Sequence, residues 1–227
     1  MLKFKCLMLD HDDTSVDSTP NIHYPCYLEF MKTRPNDHIL TYQEWFKMLW
    51  YKGLFTYYRE DLHLSEDEIQ QQVNSSRQYT LTHEPAHFFP GFIEMLKEFR
   101  RLGGIIGVVS FSDEQNILRH YRSETNGEFV PDIVYGWNKE APEKCKPYAF
   151  PVLDVLEKYH LEKKDILVVD DLLPGLEMAK NAGVKKAGAL YGKGHEFLRE
   201  EMEEHCDFLC ETVTDLKNLI IESKKEE

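Results

Sequence analysis

A short apolar run, KFKCLMLD (3–10), breaks into an acidic burst at Asp10, Asp12 and Asp13, followed by Thr14. A run of that length ending in polar residues predicts a buried strand with its functional end at the carboxyl side. IIGVVS (105–110), DIVYGW (132–137), ILVVDD (166–171) and KKAGAL (185–190) have the same character, and DFL between Cys206 and Cys210 reads as a further short strand. Helical spacing of apolar residues appears between them. PGFIEMLKEFRRLGG (90–104) has Pro90 near its start and Gly103–Gly104 at its end, the expected asymmetry of helix punctuation. FPVLDVLEKYH, LPGLEMAKNAG and TVTDLKNLIIE follow the same pattern. Strands alternating with helices of this length predict an α/β fold, a Rossmann-like doubly wound parallel sheet with ligands at the carboxyl ends of its strands.

Residues 17–86 interrupt the alternation. NIHYPCYLEFMKT, TYQEWFKMLWYKGLFTYYRE and SEDEIQQQVNSSRQY all read as helical, and Ser65 with Glu68 forms a capping-box pattern. The prediction is an inserted α-helical cap domain over 17–86, with the catalytic core formed by 1–16 and 87–227. In the cap, Trp45, Phe46, Leu49, Trp50, Phe55 and Tyr58 recur at helical spacing and are expected mainly in the seam against the core. Lys47, Lys52 and Arg59 are expected on a solvated face. The charged tail SKKEE is expected to be a solvated end.

Composition narrows the function. The formal charge of −13 disfavours a broad footprint on nucleic acid or an anionic membrane, which clustered Lys and Arg would provide. No stretch approaches the roughly 18 apolar residues of a membrane span, and the opening MLKFKCLML is too soon interrupted by DHDDT for a signal peptide. A cytoplasmic protein, monomeric or homodimeric, is expected. Five cysteines at irregular spacing (Cys6, Cys26, Cys145, Cys206 and Cys210) read as free thiols. Cys206 and Cys210 lack the second pair a zinc site would need, and Pro85 argues against a helix presenting His83 and His87 together.

Three carboxylates within four residues repel one another unless a cation or a proton holds them. Asp170 and Asp171 repeat the arrangement at the end of another apolar strand, so two acidic strand ends could share one Mg²⁺, an ion that prefers hard oxygen ligands. Capping and turn formation would account for one such Asp but poorly for five.

These residues resemble the haloacid dehalogenase-like hydrolases, on the side of phosphoglycolate phosphatase and beta-phosphoglucomutase. LMLDHDDT is similar to the family's first motif, IIGVVS to its second with Ser110 at the end, KCKPYAF to its third through Lys146, and ILVVDDLLPGLEMAKNAG to its fourth. The four occur in the family's order. The resemblance implies that Asp10 is the nucleophile and Asp12 the general acid and base, with its backbone carbonyl also a metal ligand. It implies that Ser110 and Lys146 bind the phosphoryl group, and that Asp10, Asp12, Asp171 and Asp170 hold Mg²⁺. Asp13 stands where the family most often has glycine, a departure that Asp tolerates because it adopts positive φ more readily than most residues. His11, at a variable position, is expected to face away from the chemistry.

The implied function is Mg²⁺-dependent hydrolysis of a small phosphorylated metabolite through an aspartyl phosphate. A phosphomutase of the beta-phosphoglucomutase type would use the same residues. Haloacid dehalogenases and phosphonoacetaldehyde hydrolases generally lack an acid at the position of Asp12, which favours phosphate esters. A binding protein with a vestigial site is disfavoured by the intact set Asp10, Asp12, Ser110, Lys146 and Asp171.

Overall fold

A computed structural model describes residues 1–222; the SKKEE tail lies outside the described residues. Six parallel strands form one sheet: β1 (Cys6–Leu9), β2 (Ile105–Val109), β3 (Ile133–Tyr135), β4 (Ile166–Asp170), β5 (Lys185–Ala189) and β6 (Phe208–Cys210), in the order β3-β2-β1-β4-β5-β6. The central strands are buried throughout, which explains their unbroken apolar runs. Leu7, Leu9, Val108 and Val169 contribute to one core layer, and Cys6, Met8, Ile166 and Val168 to the other. Both faces are therefore covered.

Ten α-helices are described. Four follow β1 directly: α1 (Tyr24–Met31), α2 (Tyr42–Tyr51), α3 (Leu54–Glu60) and α4 (Glu66–Thr82). The others are α5 (Phe92–Arg101), α6 (Glu114–Thr125), α7 (Phe150–Lys158), α8 (Leu173–Ala182), α9 (Arg199–His205) and α10 (Val213–Ile220). Helices α5, α6 and α10 pack on one face of the sheet through Phe92, Ile117 and Leu216, whereas α7 and α8 cover the other through Val152 and Met178.

The segment expected as one helix over 41–60 is two. Gly53, at φ 76° and ψ 153°, supplies a positive-φ break between α2 and α3 that a side chain would strain. Both α2 and α4 start in capping boxes, Thr41–Glu44 and Ser65–Glu68. The chain enters and leaves the helical insertion at neighbouring points, because Val16 bridges Phe88. Trp45, Phe46, Trp50 and Tyr58 are buried with Leu176, Leu198 and Met202 of the strand–helix layer, so the cap aromatics do form a seam. The cap cations face solvent in ion pairs, Lys52 with Asp61 at 2.6 Å and Arg59 with Glu66 at 2.6 Å. All five cysteines are free. No described helix is long and apolar enough to cross a membrane.

Sheet order positions the site. The chain crosses from β1 to β2 on one side and later returns to β4 on the other, so the loops after β1 and β4 diverge and leave a crevice between them. Leu9 is in register with Val169, and the Asp10 amide donates to the Val169 carbonyl at 2.8 Å. This register sets Asp10 beside Asp170.

Candidate active site

Four of the six expected site residues meet in the crevice. Lys146 Nζ donates to Asp10 Oδ1 at 2.7 Å and to Asp170 Oδ2 at 2.8 Å, and all three side chains are buried. Asp171 is also buried; its Oδ1 accepts from the Thr14 hydroxyl at 3.1 Å. The backbone fixes these acids: the Asp10 carbonyl accepts from Ser15 Oγ at 2.7 Å, and Asp170 Oδ1 accepts from the Leu172 amide at 2.9 Å. Asp13 has φ 56°, the positive value expected of the turn, and its Oδ1 accepts from the Thr19 amide at 2.9 Å.

Asp12 and Ser110 form a second group nearby. Asp12 Oδ2 accepts from Ser112 Oγ at 2.6 Å and from Ser110 Oγ at 3.4 Å, while its Oδ1 lies 3.0 Å from His23 Nε2. Burial opposes the Asp12 charge, but His23 and Ser112 outweigh it and hold the carboxyl well below the usual range. Burial likewise opposes charge on His23, yet Asp12 pushes the ring up to about 9. His11 turns away, fully buried, with Nε2 2.8 Å from His120 Nδ1.

Among the described residues, Asp10, Asp170 and Asp171 each offer a carboxylate oxygen within 4.8 Å of one another. Burial, reinforced by the neighbouring Asp10 charge, pushes the carboxyls of Asp170 and Asp171 well above the usual range. The Lys146 ammonium group pairs with Asp10 and Asp170 only, so the three clustered carboxyls cannot all ionise without a further cation. A hard divalent cation fits such an all-oxygen donor set. The Asp12 side chain is not in this triad.

Sequence reasoning missed His23, Ser112 and His195. His195 is fully buried; its Nδ1 accepts from the Gly192 amide at 3.1 Å, so Nε2 carries the proton and faces Asp171 Oδ2 at 3.3 Å. Its ring packs edge-on against Phe46 of α2, tying the cap to the acid.

Gly175 in α8 is also a site residue in effect. A Cβ there would come within 1.7 Å of Asp170 Oδ2. Gly175→Ala is expected to displace that carboxylate and cost about 1–3 kcal/mol of stability. Thermal denaturation of the variant beside the wild type would check this.

Comparisons with known proteins bear on the family and the fold. The profile of the haloacid dehalogenase-like hydrolases matches residues 8–189. A phosphoglycolate phosphatase from Vibrio vulnificus is 25% identical over 141 residues, covering 62% of this chain and 60% of its own length. The chain thus spans about three-fifths of that curated relative. Among solved structures, a haloacid dehalogenase-like family hydrolase from Streptococcus pneumoniae superposes with TM-score 0.72 at 20% identity, covering 94% of this chain and 97% of that one. CbbY from Rhodobacter sphaeroides, solved with xylulose-1,5-bisphosphate, superposes with TM-score 0.66 at 17% identity, covering 93% and 95%. These likenesses carry the fold, and the profile match over residues 8–189 carries the family: the chain belongs to the haloacid dehalogenase-like hydrolases.

Proposed function

We propose that this protein is a Mg²⁺-dependent phosphatase that hydrolyses a small phosphomonoester through an aspartyl phosphate on Asp10. The observation that carries the reading is the buried array of Asp10, Lys146, Asp170 and Asp171 at two adjacent strand ends, opening on a cavity of about 1060 Å³ beneath the cap. The phosphoglycolate phosphatase relative and the CbbY complex with a sugar bisphosphate support phosphate esters as the substrate class.

An Asp10 carboxylate oxygen attacks phosphorus; the new O–P bond forms as the ester P–O bond breaks. The departing alkoxide takes a proton through Asp12, drawn from the protonated His23 ring whose Nε2 lies 3.0 Å from Asp12 Oδ1. Water then attacks the phosphorus of the aspartyl phosphate, Asp12 takes the water's proton, and inorganic phosphate leaves with Asp10 restored. Lys146 offsets the charge shared by Asp10 and the phosphoryl oxygens, and Ser110 donates to a non-bridging oxygen. Asp10, Asp171, Asp170 and the Asp12 carbonyl would hold Mg²⁺, which when bound supplies charge neutralisation for the transferring group. Residues 17–86 act as the cap, over a core of 1–16 and 87–227, and exclude bulk water during the transfer.

Removal of metal tests the cofactor. Phosphate release from benzyl phosphate is expected to vanish after dialysis against EDTA and to return on addition of Mg²⁺. Full activity in the chelated protein would remove the metal from the account.

A further inference from the structure

The cavity is much larger than a phosphoryl group requires. At about 1060 Å³ it lies at the top of the roughly 300–1,000 Å³ range that holds a drug-sized ligand. Its wall is rich in rings: Trp45, Phe55 and Tyr58 from the cap, and Phe111, Trp137 and Tyr148 from the strand-end loops. Phe55 and Trp137 stack across the seam with centroids 5.8 Å apart and planes at 29°, and Phe111 meets Trp137 edge-on at 5.8 Å. Phe111 and Tyr148 keep 46% and 53% of their surface exposed, so they are not consumed by core packing.

The charges point the same way. Besides Lys146, the lining cations among the described residues are His23 and Arg77. Both have partners: His23 faces Asp12 at 3.0 Å, and Arg77 Nη2 donates to Asp113 Oδ1 at 2.7 Å. Glu114 adds another acid to the wall. A second anionic group on a substrate would meet rings and carboxylates without a counter-ion, at a large desolvation cost. Two of the lining residues, Trp45 and Asn116, only 3% and 6% exposed, each bury a polar atom without a partner, Nε1 and Oδ1. One is a donor and the other an acceptor, and a buried polar atom ordinarily has a partner.

We propose that the site selects phosphomonoesters whose alcohol part is a neutral, planar aromatic or heteroaromatic group, and that it discriminates against esters bearing a carboxylate or a second phosphate. This rests on the phosphatase reading above. The aromatic group lies against Phe55 and Trp137, and rotation of the Trp45 and Asn116 side chains toward it would give the buried Nε1 an acceptor and the buried Oδ1 a donor.

The test compares 2-naphthylmethyl phosphate with 2-phosphoglycolate and glucose 6-phosphate, all esters of alkyl alcohols, on the Mg²⁺-loaded protein. The naphthylmethyl ester is expected to have a kcat/KM about tenfold or more above the other two, mainly through KM. Trp137→Ala, and separately Phe55→Ala on the cap, should each shrink that ratio by several-fold. Equal or better turnover of 2-phosphoglycolate or glucose 6-phosphate would overturn the inference and leave the phosphatase reading standing. Ratios unmoved in both variants would overturn it as well. Calorimetric binding to Asp10→Asn separates the two layers: if no ester is turned over but the naphthylmethyl ester binds about tenfold more tightly than 2-phosphoglycolate, the phosphatase reading fails and the recognition inference stands. Equal binding would sink the inference.

Discussion

Asp10→Asn is expected to reduce phosphate release by a factor of about 10⁴ or more, the scale of losing a covalent nucleophile. The substitution keeps the shape of the side chain and leaves an amide oxygen to accept from Lys146 Nζ, now at 2.7 Å from Asp10 Oδ1. It also removes one of three carboxylates packed within 4.8 Å. The fold should therefore be retained, with a melting temperature equal to or above that of the wild type. Loss of activity together with loss of fold would instead assign Asp10 a structural role.

Lys146→Met carries the second large effect, and here stability falls too. Burial opposes the ammonium charge, but Asp10 and Asp170 outweigh it and hold Lys146 above its usual range. Methionine matches the apolar stem and removes only the cation, so both acids are left in the interior without their shared partner. Breaking a buried ion pair from one side costs about 3–5 kcal/mol, or roughly 10 °C in melting temperature for a chain of this size. Turnover should fall about 100-fold or more, as when a preorganised charge is removed from a phosphoryl site. Because Mg²⁺ would also neutralise these acids, the loss of stability should be larger in EDTA than in excess Mg²⁺. Melting curves in the two buffers check this, and identical losses would argue against a shared metal.

Much of this was legible in the sequence because each cue was local. The runs ending at Leu9 and Asp170 are apolar without interruption because these strands are buried on both faces, and the acids beyond them stand out at once. Asp13 could be read as a positive-φ residue from its type and position, and its φ is 56°. Helix α6 gave little signal: its apolar face rests on Ile117 and Tyr121, while Asn116 and His120 are polar and yet buried. The break at Gly53 was masked by continuous aromatic periodicity on either side.

The missed site residues share a different cause. His23, on the turn just before α1, and Ser112, in the loop after β2, both reach Asp12 only in the folded chain. His195 depends on a turn in which Gly192 and Gly194 flank Lys193, and Gly194 has φ 99°. Such contacts come from tertiary packing, which residue spacing does not encode. The serine two positions after Ser110 was the one visible hint.

The central claim is that the phosphoryl group passes through Asp10. Acid quenching during steady-state turnover, followed by peptide mapping, tests it most directly, and Asp12→Asn should slow the second step enough to raise the trapped fraction. The account requires a phosphoryl adduct on the peptide carrying Asp10 that hydroxylamine removes, as it does an acyl phosphate. Turnover without any adduct, or a hydroxylamine-stable adduct on Ser110 or another residue, would contradict it.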